Sequence, residues 1–146
     1  MEEKRKNRIL VVEDDPDTRF ALSLLFEMEG FDIDLACDGE EAYSKAMEEQ
    51  PDLIVTDINM PGVSGLDLID HIKNDERLKH IPIVAMSAVE RKQLKRAQEL
   101  GAIAVYQKPV EYDKLFKFIA SVMSSRRNRT RKQSRKPTPD LYTQPQ

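Results

Sequence analysis

The chain has 146 residues, 40% hydrophobic and 34% charged, with a net charge of −3. That is one domain, or one domain and a tail, with core enough to fold without disulfides or a structural metal. A single cysteine, Cys37, excludes an internal disulfide framework and a cysteine zinc site, and His71 and His80 stand in no metal-ligand spacing.

From Arg126 to Gln146 the chain carries seven basic residues and one acidic residue, so this segment is +6 and residues 1–125 are −9. An acidic body with a basic tail argues against nucleic-acid binding over the whole surface. The longest apolar runs fall far short of the roughly 20 residues that cross a bilayer. The charged stretch Met1 to Arg8 lacks the apolar centre of a secretory signal, so the expected compartment is the cytoplasm.

In chain order, Ile9-Leu10-Val11-Val12 reads as a first strand. Asp14, Asp15 and Pro16 signal a helix start, with Asp15 as the cap. Phe20, Ala21, Leu24, Leu25 and Met28 repeat at helical spacing, and Gly30 closes that helix. Phe31, Ile33 and Leu35 alternate with Asp32 and Asp34, a half-exposed strand. Asp38 caps a second helix, with Ala42, Tyr43, Ala46 and Met47 facing inward. Leu53-Ile54-Val55 is a third strand that ends in Thr56-Asp57, and Pro61-Gly62 breaks the chain after it. Ser64 caps a third helix marked by Leu66, Leu68, Ile69 and Ile72. Ile81 to Met86 is a fourth strand. Leu94, Ala97 and Leu100 mark a fourth helix ended by Gly101. Ala102 to Tyr106 is a fifth strand, and Tyr112, Leu115, Phe116, Ile119, Val122 and Met123 mark a last helix.

Five β-α units in succession predict a doubly wound α/β fold, a (βα)5 parallel sheet with helices on both faces. The first, third and fourth strands are continuously apolar and belong at the centre, whereas the second alternates and belongs at an edge. The predicted order is 2-1-3-4-5, with a topological switch between the first and third strands. Apolar periodicity stops after Ser125. Residues 1–125 are therefore taken as the domain, and 126–146 as a largely disordered basic tail. That tail has three readings: a solvated extension, a dock for an acidic partner, or a weaker contact with nucleic acid or anionic membrane.

Open parallel sheets bind ligands beyond the carboxyl ends of their strands, at the switch point. Those ends carry Glu13, Asp14 and Asp15 from the first strand, Asp57 from the third, Ser87 from the fourth and Lys108-Pro109 from the fifth. Carboxylates brought together repel one another unless a cation joins them, and Mg²⁺ suits one or two carboxylates together with a phosphate oxygen. Lys108 and the Ser87 hydroxyl could pair with the same phosphoryl group. Each residue also has a plain structural reading. Asp14 and Asp15 suit a helix start, Asp57 a turn, Lys108-Pro109 a tight turn, and Tyr106 simple packing.

Taken together, Ile9-Leu10-Val11-Val12-Glu13-Asp14-Asp15, Asp57-Ile58-Asn59-Met60-Pro61-Gly62, Met86-Ser87-Ala88 and Lys108-Pro109 resemble the receiver domain of two-component response regulators, over about residues 7–124. The resemblance implies a flavodoxin-like sandwich acting as a signalling switch rather than a classical enzyme. Asp57 would accept a phosphoryl group from a phosphohistidine on a sensor histidine kinase or histidine phosphotransfer protein. Mg²⁺ would be held by Glu13, Asp14, Asp57 and the backbone carbonyl of Asn59. Lys108 would contact the phosphoryl group, Ser87 would hydrogen-bond it, and Tyr106 would turn inward. The surface of the fourth helix, fifth strand and fifth helix would then act on a partner protein. Glu13 and Ser87 stand where Asp and Thr are commoner in the family, and Asn59 and Val89 flank the site.

Two alternatives belong to other classes. One is a receiver-like interaction module that works without phosphate. The other is an enzyme on a similar sheet. A flavin protein would need a phosphate-binding loop where this chain has acids, and an aspartate-nucleophile phosphatase would want a second aspartate at position 59. No glycine-rich dinucleotide or Walker-type motif is present.

Overall fold

The computed structural model describes residues 6–88 and 91–135, with the side chains of 127–135 left aside. The chain divides into two compact units, Met1–Val110 and Glu111–Gln146.

The first unit contains β1 (Arg8–Val12), α1 (Pro16–Met28), β2 (Asp32–Ala36), α2 (Gly39–Glu49), β3 (Leu53–Asp57), α3 (Gly65–Lys73), β4 (Ile83–Ser87), α4 (Arg91–Leu100) and β5 (Ala104–Gln107). The strands form one sheet in the order β2-β1-β3-β4-β5, and every pair is parallel. β3 and β4 are buried at every position, and so is β1 from Ile9 onward, as centre strands must be. Leu10, Val12, Ile54, Ile83 and Ala85 share one core with Ala42 and Ala46 of α2, Leu68, Ile69 and Ile72 of α3, and Leu94 and Ala97 of α4. Their neighbours along the strands, Ile9, Val11, Leu53, Val55, Val84 and Met86, are equally buried and point to the other face by strand alternation.

The helix starts follow their caps. Asp15 accepts from the Thr18 amide at 2.8 Å, Asp38 from the Glu41 amide at 2.8 Å, and Ser64 forms a reciprocal capping box with Asp67. These bonds fix where α1, α2 and α3 begin, and so where the preceding strand ends are held.

The structure corrects three sequence readings. In α1 the buried residues are Leu22, Ser23 and Phe26, while Phe20, Leu24 and Met28 are 64%, 45% and 81% exposed. This helix is apolar on two faces, and the repeat that marks it in the sequence is the outward one. β4 starts at Ile83 rather than Ile81, because the Ile81 amide closes a turn onto Leu78 and Pro82 has no amide. β5 starts at Ala104 rather than Ala102, because the Ala102 amide still bonds the Ala97 carbonyl beyond the left-handed Gly101.

The second unit holds α5 (Tyr112–Arg135), which buries Leu115, Phe116, Ile119 and Met123. The helix runs on past Ser125 to Arg135. Residues 126–135 lack apolar periodicity, but five of these ten residues are Arg, a good helix former whose charge suits a helix C-terminal end. The rest of the expected tail, 136–146, lies outside the described residues.

Candidate functional site

Order 2-1-3 makes β1 and β3 neighbours, so the residues leaving their carboxyl ends are adjacent in space. Glu13 follows β1 directly, and its amide still bonds the Ala36 carbonyl of β2. Asp57 is the last residue of β3. Glu13, Asp14 and Asp57 each offer a carboxylate oxygen, and these atoms lie within 4.8 Å of one another. The Lys108 ammonium reaches in from beyond β5, 3.2 Å from Glu13 Oε1 and 3.4 Å from Asp57 Oδ2. The Lys108-Pro109 bond is cis.

The setting is dry on one side. Glu13 is 2% exposed and Asp57 8%, while Asp14 is half-buried. Burial pushes the Glu13 carboxyl above its ordinary range. The Asp15 amide, which donates to Glu13 Oε2 at 3.1 Å, and the Lys108 charge oppose that rise, and the nearby Asp57 charge adds to it. For Lys108, burial works to lower the pKa, but attraction to Asp57 and Glu13 outweighs it and the ammonium is held above its ordinary value. Three carboxylates against one ammonium leave the cluster anionic. It is a hard-oxygen donor set short of positive charge, and it fits a divalent cation such as Mg²⁺.

The other predicted residues fall around this cluster. Ser87 ends β4, fully buried, and its backbone carbonyl accepts from the Lys108 amide at 2.9 Å. Tyr106 sits half-buried in β5, in register with Met86 of β4. Asn59 is exposed, two residues past Asp57. Asp15 is the α1 cap and points away from the cluster in function: its carboxylate takes the amide and hydroxyl of Thr18. Val89 lies outside the described residues.

Two residues with a part in the site were not apparent from sequence. Arg19, one turn into α1, donates to the backbone carbonyls of Glu13 at 2.8 Å and Asp14 at 3.3 Å, and so fixes the loop that carries both acids. Gly65 opens α3 against the backbone of Asp57 and Ile58, and its amide bonds the Ile58 carbonyl at 2.8 Å. A side chain there would meet the Asp57 carbonyl oxygen at 2.1 Å. A glycine immediately behind a serine cap was the only sequence signal for it.

The model of the response regulator receiver domain matches residues 9–120. The chain belongs to the response regulator receiver family. Receiver domains are regulatory two-component signalling proteins rather than classical enzymes. The polar-differentiation response regulator DivK of Brucella ovis is 34% identical over 116 residues, covering 79% of this chain and 94% of that protein. The DNA-binding dual master transcriptional regulator RpaA of Synechocystis is 31% identical over 117 residues, 80% of this chain, which spans only about half (48%) of that longer relative. A putative response regulator from Chloroflexus aurantiacus superposes with a TM-score of 0.78 at 25% identity, covering 82% of this chain and 99% of that one. The receiver fold expected from the sequence, five parallel strands in the order 2-1-3-4-5, is thus the observed one. Among the described residues, no helix is long and apolar enough to cross a membrane.

Proposed function

We propose that Asp57 accepts a phosphoryl group from a phosphohistidine on a sensor histidine kinase or histidine phosphotransfer protein, and that the modified site controls a partner protein from the cytoplasm. The observation that carries this reading is the position of Lys108. Its ammonium stands between the carboxylates of Glu13 and Asp57, at the mouth formed by three strand ends.

Glu13, Asp14 and Asp57, with the backbone carbonyl of Asn59, would hold Mg²⁺, whose charge would neutralise these acids and the phosphoryl oxygens that approach them. The chain's own groups do the rest. Asp57 presents a carboxylate oxygen as the nucleophile, held by a strand end whose carbonyl accepts from the Thr56 hydroxyl at 2.9 Å. The P–N bond to the donor imidazole breaks as the P–O bond to Asp57 forms, and the imidazole takes up a proton on leaving. Positioning and charge neutralisation supply most of such catalysis, and Lys108 supplies a fixed positive charge. A phosphoryl group adds charge and acceptor oxygens where a single carboxylate stood. The Ser87 hydroxyl would move to bond them and Tyr106 would turn inward, biasing the surface of α4 and β5 between two arrangements.

Intact mass after incubation with acetyl phosphate tests the reading. A gain of one phosphoryl group that needs Mg²⁺ and is lost in Asp57→Asn is the expected result. No gain in folded protein would favour a phosphate-independent interaction module instead.

A further inference from the structure

The basic residues of the acidic first unit are not evenly spread. α4 reads Arg91-Lys92-Gln93-Leu94-Lys95-Arg96-Ala97-Gln98-Glu99-Leu100, with four cations against one acid. Leu94 and Ala97 are buried, which leaves Lys92, Lys95 and Arg96 on exposed positions. Beside them runs a groove of about 520 Å³ between α3 and α4, lined by Leu66, Lys92, Gln93, Lys95, Arg96 and Glu99. Arg96 has a 3.5 Å ion pair with Glu99, both more than half exposed, and such a pair is worth little. Among the described residues, no ion pair engages Lys92 or Lys95. The groove therefore offers the ammonium groups of Lys92 and Lys95, a loosely held guanidinium and one apolar side chain, Leu66.

We infer that this α3–α4 groove docks a short acidic peptide segment of a partner protein, with one aliphatic side chain of the segment seated on Leu66. Carboxylates of the segment lie against Lys92 and Lys95, whose methylene stems widen the apolar floor. Charge complementarity selects the occupant. Residues 1–125 carry −9, so α4 is a basic island, and a short acidic segment that stays within the groove avoids the surrounding repulsion. A nucleic acid would run beyond the groove onto acidic surface. The docking requires no chemistry at Asp57 and goes beyond the proposed phosphoacceptor role.

The test uses the full chain and a short fluorescein-labelled peptide of glutamate and alanine with one central leucine. Binding is read by anisotropy, and the site by amide ¹⁵N–¹H shifts. The expected shifts centre on Leu66, Gln93 and Arg96, and binding falls as salt is raised. The double variant Lys92→Glu/Lys95→Glu binds at least about tenfold more weakly. The single variant Leu66→Ser weakens binding without altering its salt dependence. The basic segment beyond Ser125 could capture the same peptide, so Arg127→Gln/Arg129→Gln/Arg131→Gln is the control and retains binding. The inference is overturned if the peptide with glutamine in place of glutamate binds equally well. It is also overturned if the segment variant loses binding while the α4 variant keeps it, or if a single-stranded DNA of similar length competes the peptide out of the groove.

Discussion

Replacing Gly65 by alanine places a methyl group 2.1 Å from the carbonyl oxygen of Asp57, 2.6 Å from Ile58 Cα and 2.9 Å from the Asp57 carbonyl carbon. All three are backbone atoms, so no side-chain rotation relieves the contact. Restoring even 3.0 Å to the carbonyl oxygen opens the gap between α3 and the end of β3 by about 0.9 Å. Overpacking of this kind costs about 1–3 kcal/mol, and loss of the Gly65 amide bond to Ile58 adds about 1 kcal/mol. Alanine's better helix propensity returns about 1 kcal/mol. The net expectation is a loss of about 1–3 kcal/mol in urea unfolding. The same shift moves Asp57 relative to Lys108, and a misplacement near 1 Å can cost about 100-fold in rate. Phosphorylation by acetyl phosphate should therefore slow by about 10- to 100-fold. Gly62→Ala is the matched control. Gly62 has φ +71° and open space around it, so alanine there costs about 1–2 kcal/mol through the backbone alone and leaves Asp57 in place. Wild-type stability and rate in Gly65→Ala would refute the reasoning, as would an equal loss of rate in Gly62→Ala.

Three further outcomes follow from the same geometry. Glu13 holds its proton to higher pH when folded than when unfolded, so its contribution to stability is present at low pH and is lost as pH rises through its raised value. In chelator-treated protein Glu13→Gln should be the more stable form at pH 7, with a flatter stability profile above the ordinary carboxylate range; urea midpoints across pH would show otherwise if the two profiles run parallel. Lys108→Ala leaves Glu13 and Asp57, 3% and 11% exposed at their side chains, without their cation. Because Lys108 is itself about a quarter exposed, the loss at pH 7 should be about 1–3 kcal/mol, below the range for a fully buried pair. In that variant Asp57 should still take up phosphate while the accompanying amide shifts of α4 and β5 disappear, and retention of those shifts would remove Lys108 from the coupling. Asp75 accepts from Arg77 and from the Tyr43 hydroxyl, and these bonds hold its carboxyl well below the ordinary range. Its stabilisation is present above the unfolded value and is lost as pH falls through the ordinary carboxylate range towards the folded value. Asp75→Asn should flatten the acid limb below about pH 4, and an unchanged limb would count against that role.

The centre of the fold was legible because burial on both faces leaves one signature, an unbroken apolar run, in β1, β3 and β4. The acidic cluster and Lys108 were legible for a related reason. Parallel topology sends successive strand ends to the same edge, so residues far apart in sequence meet by rule once the strand order is known. What escaped the sequence depends on contacts between elements. α1 has apolar residues on two faces, and periodicity cannot tell the one carrying Phe20, Leu24 and Met28 from the one carrying Leu22 and Phe26. The starts of β4 and β5 were displaced by local closures at Pro82 and Gly101. The length of α5 reflects intrinsic helix propensity where no apolar stripe remains to announce it. Gly65 and Arg19 matter through their distance to backbone atoms of the site, and that has no trace in the spacing of residues along the chain.

The central claim, that Asp57 itself takes the phosphoryl group, is tested most directly by reductive trapping. An aspartyl phosphate is reduced by borohydride to the corresponding alcohol, converting that one aspartate to homoserine. After phosphorylation with Mg²⁺ and acetyl phosphate, reduction and peptide mass spectrometry should find homoserine at position 57 and leave Asp14 and Asp15 unchanged. Homoserine at Asp14 or Asp15, or a phosphorylated protein that yields none at position 57, would contradict the account.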